Sequence, residues 1–338
     1  MPGVVRGLVP FVIAVPVLLA VQWVTSDAPF FVILSLTVGV NVVLAVSLNI
    51  INGMTGQFSI GHAGFMAVGA YISGVTSIAL SAYGISFLPE RVSDQALYAV
   101  SLVVGAMAAA GFGFLVGLPS LRLKGDYLAI VTLGFGEIIR VVVQNTERFG
   151  KALGLSGVPQ RTTLFSCWLV VVLVVVVAWR IRRSAHGRAL LAIREDEIAA
   201  EAMGVNTTAY KVRAFVVASF FAGLAGGIFA HYQSIVAPSS FTFVKSMEIV
   251  VMVVAGGLGS TTGAIVAAVV LTLLPEALRS LFLLLSGDGG MAQVVEQIRM
   301  PIYGLLLVVI MLVRPQGLFG TRELWEVGLF RRLLRGTR

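Results

Sequence analysis

The side chains best suited to holding a polar solute are concentrated in one apolar stretch. The run Gly53-Met-Thr-Gly-Gln-Phe-Ser-Ile-Gly-His-Ala-Gly-Phe65 sets Thr55, Gln57, Ser59 and His62 among Gly53, Gly56, Gly61 and Gly64. Amide, hydroxyl and imidazole groups can hydrogen-bond a solute. Glycine-interrupted backbone at membrane depth survives only where protein sheathes it or where it lines a cavity. Gly56, Gln57, Ser59, Gly61, His62 and Phe65 are therefore the leading candidates for a solute path. A second candidate is Leu133-Gly134-Phe135-Gly136-Glu137, with Arg140 three residues after the acid on the same helical face. Two readings stand for Glu137: a self-paired ion, or a group that helps hold a solute or a gate. Glu248 and Glu276 are the other acids in apolar runs, and Arg279 follows Glu276 at the same spacing. Charge at such depth costs at least ~2.5 kcal/mol, so each acid should face the bundle or a wet cavity.

Bond-making chemistry has no comparable signal. The phosphate-binding pattern Gly-x-x-x-x-Gly-Lys-[Ser/Thr] is missing, since Gly150-Lys151 is followed by Ala152 and lacks the required earlier glycine. His62, His186 and His231 are far apart, and Cys167 is the sole cysteine, so neither a metal site nor an internal disulfide is expected. No Gly-x-Ser-x-Gly elbow occurs. The expectation is a non-enzyme with no cofactor on this chain.

The elements that must position these residues are membrane spans. Of 338 residues 58% are hydrophobic and 12% charged, with a mean hydropathy of +0.97, whereas soluble domains carry about 25% charged residues. The apolar excess must face lipid, which predicts an all-α, polytopic bundle of about ten transmembrane helices. The expected spans are 8–24, 29–51, 60–80, 97–119, 127–144, 164–182, 214–236, 241–256, 261–285 and 299–314. If they alternate from a cytoplasmic N-terminus, most basic residues fall on the cytoplasmic side, and the +8 net charge reads as orientation rather than nucleic-acid binding. Both termini are then cytoplasmic. The organisation expected is an N-terminal span within 1–28, a transmembrane domain over 29–320 with a soluble loop at 183–213, and a basic tail at 321–338 suited to lying on anionic headgroups.

Glycine spacing adds two expectations. Gly113/Gly117 and Gly223/Gly227 are Gly-x-x-x-Gly pairs, read as packing positions where backbones approach closely. Gly256-Gly257-Leu-Gly259-Ser-Thr-Thr-Gly263 repeats the Gly-x-x-Gly spacing of Gly53 and Gly56, as either an internal duplication or a chance match would leave it. In the loop, Ala189, Ile193, Ala200 and Met203 form one apolar face of an expected helix across 188–204. Arg194, Glu195, Asp196, Glu197 and Glu201 remain for water or a partner, and Gly204 is its C-terminal cap.

These residues carry a family resemblance. Ala199-Ala200-x-x-x-Gly204, with Glu197 one position from where the acid usually stands, resembles the EAA loop of ABC importer permeases. Gly56-Gln-Phe-Ser-Ile-Gly-His-Ala-Gly-Phe65, Leu121 through Glu137, Ile193-Arg-Glu-Asp-Glu197, Gly256-Gly-Leu-Gly-Ser260 and Arg314-Pro-Gln-Gly-Leu318 resemble the high-affinity branched-chain amino acid importer family, in its larger, M-type permease. The resemblance runs from about residue 40 to 320. It implies an ATP-driven importer of branched-chain amino acids in the bacterial inner membrane. The implied partners are a second homologous permease, two ATP-binding subunits that hold ATP and Mg, and an extracytoplasmic solute-binding protein. By the same likeness Arg188, Arg194, Glu195, Asp196, Glu197, Ala199, Ala200, Glu201, Met203 and Gly204 would dock into the ATPase. Gln57, Ser59, His62 and Glu137 match the family's signature stretches, and a cleft between 53–65 and 133–140 would alternate its access. Related permeases carry urea or short amides, so that cargo is the alternative, with an ion-coupled transporter using Glu137 behind it.

Overall fold

The computed structural model describes residues 29–81, 90–120, 126–233 and 235–286, with isolated positions between 304 and 320. Helix α1 (Pro29–Asn49) runs into a π-helical turn at Ile50–Met54, and α2 spans His62–Ser81. Then come α3 (Glu90–Ser120), α4 (Asp126–Asn145) and α5 (Leu164–Arg183). Two short helices, α6 (Ala185–Glu195) and α7 (Glu197–Ala202), stand before α8 (Thr207–Gln233), α9 (Phe243–Gly256) and α10 (Thr261–Ser286). Among the described residues the only β feature is the isolated bridge between Leu155 and Val236. Seven of the helices are long and apolar enough to cross a membrane. The expected spans at 8–24 and 299–314 and the tail at 321–338 lie outside the described residues, apart from isolated positions in the tenth span.

From Val38 onward α1 is buried on every side by other helices, while Phe30, Phe31 and Ile33 near its start are exposed. Val42, Val43, Leu44, Ala45 and Val46 are fully buried. α4 and α5 are the least enclosed of the spanning helices. On α4, Tyr127, Ile130, Ile138, Val141 and Val142 all project outward.

Glycine sets how closely the helices pack, as the Gly-x-x-x-Gly spacing predicts. A Cβ on Gly223 would stand 2.5 Å from Ala109 Cβ and 2.9 Å from Ala106 Cα, and one on Gly113 2.3 Å from Ser219 Oγ. Gly69 faces the Gly223 backbone just as tightly. The α2–α3–α8 group therefore packs backbone to backbone, a contact any larger side chain would push apart.

Two expectations change. The span at 241–256 is α9, whose 14 residues cover ~21 Å against a hydrocarbon core of ~30 Å. It follows a 3-10 turn at Pro238–Phe241, and the chain before that turn is anchored by the Leu155–Val236 bridge and by Tyr71 Oη donating to the Val236 carbonyl at 2.7 Å. The single loop helix expected over 188–204 is instead two helices, broken at Asp196 with φ −155° and ψ 109°. Asp196 Oδ1 accepts from the Ile198 and Ala199 amides at 2.9 and 3.0 Å, so it starts a second helix rather than continuing the first.

Candidate functional site

The polar run reads as irregular and is so in the structure. The π-turn ends at Met54, Gly56 adopts φ +71°, and α2 begins only at His62. Its polar side chains turn inward, while Phe58 is exposed. Thr55, Gln57, Ser59 and His62 are all buried. Asn52 and Ser59 bond each other twice, with the Ser59 amide donating to Asn52 Oδ1 at 3.1 Å and Asn52 Nδ2 donating to the Ser59 carbonyl at 3.4 Å. His62 Nε2 lies 2.8 Å from Ser47 Oγ, and Thr55 Oγ1 donates to the Ile51 carbonyl at 2.6 Å and to Gln57 Oε1 at 3.4 Å. Not every group is satisfied. Asn49 Nδ2, Ser59 Oγ and His62 Nδ1 are buried with no hydrogen-bond partner, and a buried polar atom left alone implies an occupant or a cost of ~1–3 kcal/mol.

The two candidate path segments meet. A Cβ on Gly64 would lie 2.8 Å from Gly136 Cα, and one on Gly61 2.2 Å from the Thr132 carbonyl oxygen. The Ile60 amide donates to Thr132 Oγ1 at 3.1 Å. Gly61 and Gly64, at the start of α2, thus lie directly on α4 at Thr132 and Gly136, whereas Phe65 turns to α8, its ring 5.8 Å from that of Phe215. Gly134, by contrast, is exposed with open space where its Cβ would be, on the outward face that carries Ile130 and Ile138, so the contact with α2 is made by Gly136. Glu137 is paired with Arg140 at 2.7 Å and its side chain keeps 34% exposure.

Below this, at the end of the bundle that carries α6 and α7, the two glycine clusters touch. A Cβ on Gly53 would lie 2.4 Å from the Gly259 amide nitrogen, which itself donates to Asn49 Oδ1 at 2.9 Å. Arg194, in the last turn of α6, packs against the same point. One guanidinium nitrogen donates to the Gly53 carbonyl at 2.9 Å, and its stem covers Gly56 closely enough that a Cβ there would sit 3.0 Å from Arg194 Cγ. Arg182 of α5 donates to the Gly259 carbonyl. α6 is thereby tied by a guanidinium to the backbone just after α1, while α5 is tied by another to the turn joining α9 to α10.

α7 is tied to α8 instead. Lys211, 4% exposed, donates to Glu197 Oε1 at 2.6 Å, and Thr207 Oγ1 donates to Glu201 Oε1 at 2.6 Å. Gly204, at φ +83°, closes the stub as expected, its amide donating to the Glu201 carbonyl at 2.9 Å. Asn206 then caps α8 through the Ala209 amide. Ile193 and Ala200 face inward, but Met203, expected on the apolar face, is 84% exposed. The break at Asp196 keeps Ile193 and Ala200 buried but takes Met203 off the apolar face expected for a single helix. Ile198 is 72% exposed beside Met203, and Arg188, Glu195, Asp196, Ala199 and Glu201 are also exposed.

Sequence spacing leaves Glu248 without a named partner. The structure supplies Lys245, at 3.0 Å, on the preceding turn of α9. Lys245 also donates to Asn41 Oδ1 at 3.1 Å, and Asn41 Nδ2 donates to Thr272 Oγ1 at 2.9 Å. This network inside the bundle joins α1, α9 and α10. The i,i+3 rule that pairs Glu137 with Arg140 was the available signal.

A multi-pass helical bundle interrupted by apposed glycine turns, with a short helical stub pinned to those turns, defines an integral membrane protein of the transport-permease class. The family model for the branched-chain amino acid transport system / permease component matches residues 30–313, and the chain belongs to that family. The high-affinity branched-chain amino acid transport system permease protein LivM of Escherichia coli K12 is 36% identical, over 91% of this chain and 74% of its own. LivM of Salmonella typhimurium is 35% identical, over 82% of this chain and 67% of its own. The permease protein LivH of the same system in Escherichia coli K12 is 25% identical, over 84% of this chain and 92% of its own.

Proposed function

We propose that this chain is the larger transmembrane permease subunit of an ATP-driven importer of branched-chain amino acids, a transport subunit rather than an enzyme, working in a bacterial inner membrane. Identity to LivM over most of the chain supports the cargo class, and the further likeness to LivH supports a homologous second permease beside it. ATP and Mg would be held by two partner ATP-binding subunits, and solute delivered by an extracytoplasmic binding protein.

The observation that carries this reading is the attachment of the α6–α7 stub. A stub that only connected two spans would need no bonds to distant backbone. This one is fixed to Gly53 through Arg194 and to α8 through the largely buried Lys211–Glu197 pair, while Ile198 and Met203 stand apolar and exposed at its tip. In the proposal Arg188, Glu195, Asp196, Ala199, Ala200, Glu201 and Gly204 shape the knob that the ATPase grips. Arg194 and Glu197 carry its displacement to α1, α8 and the α9–α10 turn. The clustering of Arg180, Arg182, Arg183, Arg188 and Arg194 at this end supports a cytoplasmic stub.

The solute path is proposed along Gly56–Phe65 and Gly134–Glu137. The unpartnered Ser59 Oγ and His62 Nδ1 support that assignment, because polar atoms without protein partners suit a passing ammonium, carboxylate or water. Displacement of the stub would separate the glycine contacts between α2 and α4 and open the path alternately to each side. The test is uptake of labelled leucine into proteoliposomes holding the permease pair and its ATPases. Dependence on internal or external ATP at the stub side, with no effect of an ionophore, supports the proposal. Uptake that survives ATP depletion and collapses with the ionophore would establish ion coupling instead.

A further inference from the structure

A cavity lies apart from the path, between the stub end of α5, the start of α6 and the first turns of α8. It has a volume of about 460 Å³ and is lined by Ile50, Ile181, Leu190, Ala214 and Val217, with Arg180, Ser184, His186, Tyr210 and Arg213 completing its wall. Five of the lining groups are apolar and five supply charge and hydrogen-bonding capacity. No carboxylate lines it. Arg180 and Arg213 are exposed, and neither has an acid partner among the described residues. The Arg213 guanidinium lies 5.7 Å from the centre of the Tyr210 ring, and the His186 ring is 5.5 Å from the same ring.

The placement of charge singles this cavity out. Of the stub acids, Glu195 and Asp196 lie at the far end of α6, while Glu197 and Glu201 reach the start of α8 but are held there by Lys211 and Thr207 rather than by the cavity arginines. The positive end of the α6 dipole, capped by Ser184, adds to the arginines at the near end. Outward from the cavity α5 is lipid-facing in character, with Leu169 and Leu173 about half exposed. Trp179, under the Arg183 guanidinium at 4.3 Å, marks the headgroup level at which amphipathic rings gather.

We propose that the cavity formed by α5, α6 and α8 binds one anionic phospholipid, its phosphate held by Arg180 and Arg213 and the upper part of an acyl chain laid along Ile181, Ala214 and Val217. A zwitterionic lipid would bring a cation into a site already carrying two. A soluble phosphate would leave the apolar half of the lining uncovered. Because Ser184, His186 and Leu190 belong to the stub or its cap, the bound lipid would brace the stub against the membrane surface. This inference is independent of the cargo and of the ATPase partner.

The test is native mass spectrometry of the full chain, purified with the subunits that accompany it, delipidated and titrated with phosphatidylglycerol or phosphatidylcholine of matched chains. One phosphatidylglycerol should be retained at least tenfold more tightly than phosphatidylcholine, and excess glycerol phosphate should not displace it. Each basic residue near an anionic headgroup contributes about a fivefold factor, so Arg180→Gln with Arg213→Gln should weaken retention by about 30-fold. Arg148→Gln, at the opposite end, should leave it unchanged. The paired Arg180→Lys and Arg213→Lys variant keeps the charge and should retain the lipid within about fivefold, which separates lost binding from lost folding. Equal retention of both lipids, displacement by glycerol phosphate, or full retention by the double glutamine variant would each overturn the proposal.

Discussion

Replacing Arg194 with alanine should release the stub without unfolding the bundle. In the structure one guanidinium nitrogen donates to the buried Gly53 carbonyl at 2.9 Å, and the side chain keeps only 25% exposure beside the weak 4.0 Å approach of Glu195. A hydrogen bond with one charged partner contributes about 1.5–3 kcal/mol. Taking about 2 kcal/mol, the docked stub should lose roughly a factor of 30 in population relative to its open forms. The rest of the fold does not depend on this side chain, because α1, α2 and α8 pack through residues on their own faces. Hydrogen exchange by mass spectrometry reads the effect directly. Amides of residues 187–195 should exchange about 30-fold faster in Arg194→Ala, while those of 210–230 stay unchanged. In proteoliposomes the same variant should show ATP hydrolysis without proportionate uptake. Arg194→Lys should recover part of both, as it keeps a donor but not the planar fork. Unchanged exchange in 187–195 together with wild-type uptake would refute the claim that Arg194 fixes the stub.

Other outcomes follow from the same contacts. Lys211→Met leaves Glu197 without its partner, but Glu197 is 29% exposed and can be rehydrated. The cost should therefore fall below the 3–5 kcal/mol of a fully buried pair, about 2 kcal/mol, seen as faster exchange across 197–203. Asp196→Ala removes the cap of α7 and should cost about 1 kcal/mol by the same measurement, with Asp196→Asn near wild type. Gly53→Ala drives a methyl into Asn49 Oδ1 at 2.1 Å and the Gly259 amide at 2.4 Å, so its thermal midpoint should fall by several degrees. Gly134→Ala meets open space and should hold or gain up to about 1 kcal/mol from helix propensity.

Much of this architecture is legible in the sequence, for reasons that are local. Span positions follow from apolar length, and the structure bears out those at 29–51, 60–80, 97–119, 127–144, 164–182, 214–236 and 261–285 to within several residues at their ends. The irregularity of 53–61 follows from glycine density, and the Gly204 cap from glycine's freedom at positive φ. The Glu137–Arg140 and Glu276–Arg279 pairs follow from helical spacing. The break at Asp196 is also local, since an aspartate before Glu-Ile-Ala-Ala has the composition of an N-cap. Reading only the apolar period across it yields one helix instead of two and misplaces Met203. What spacing cannot convey is contact between distant segments. Gly53 and Gly259 share a Gly-x-x-Gly pattern, yet nothing in that pattern says the two turns touch or that Arg194, 141 residues from Gly53, closes over them. The Asn41–Lys245–Thr272 network is non-local in the same way. The shortness of α9 is legible as well, since the apolar run expected at 241–256 is only 16 residues long and Pro238-Ser-Ser240 precedes it.

The most direct measurement of the central claim uses the single native cysteine, Cys167, which is fully buried and therefore a quiet background. With Met203→Cys in the assembled transporter, a short thiol-to-amine crosslinker should join this chain to the ATP-binding subunit in high yield. The yield should change when non-hydrolysable ATP is added. A Met203→Cys residue that stays free for a bulky maleimide in the intact complex, with the ATP-binding subunit crosslinking elsewhere on the chain, would contradict the account.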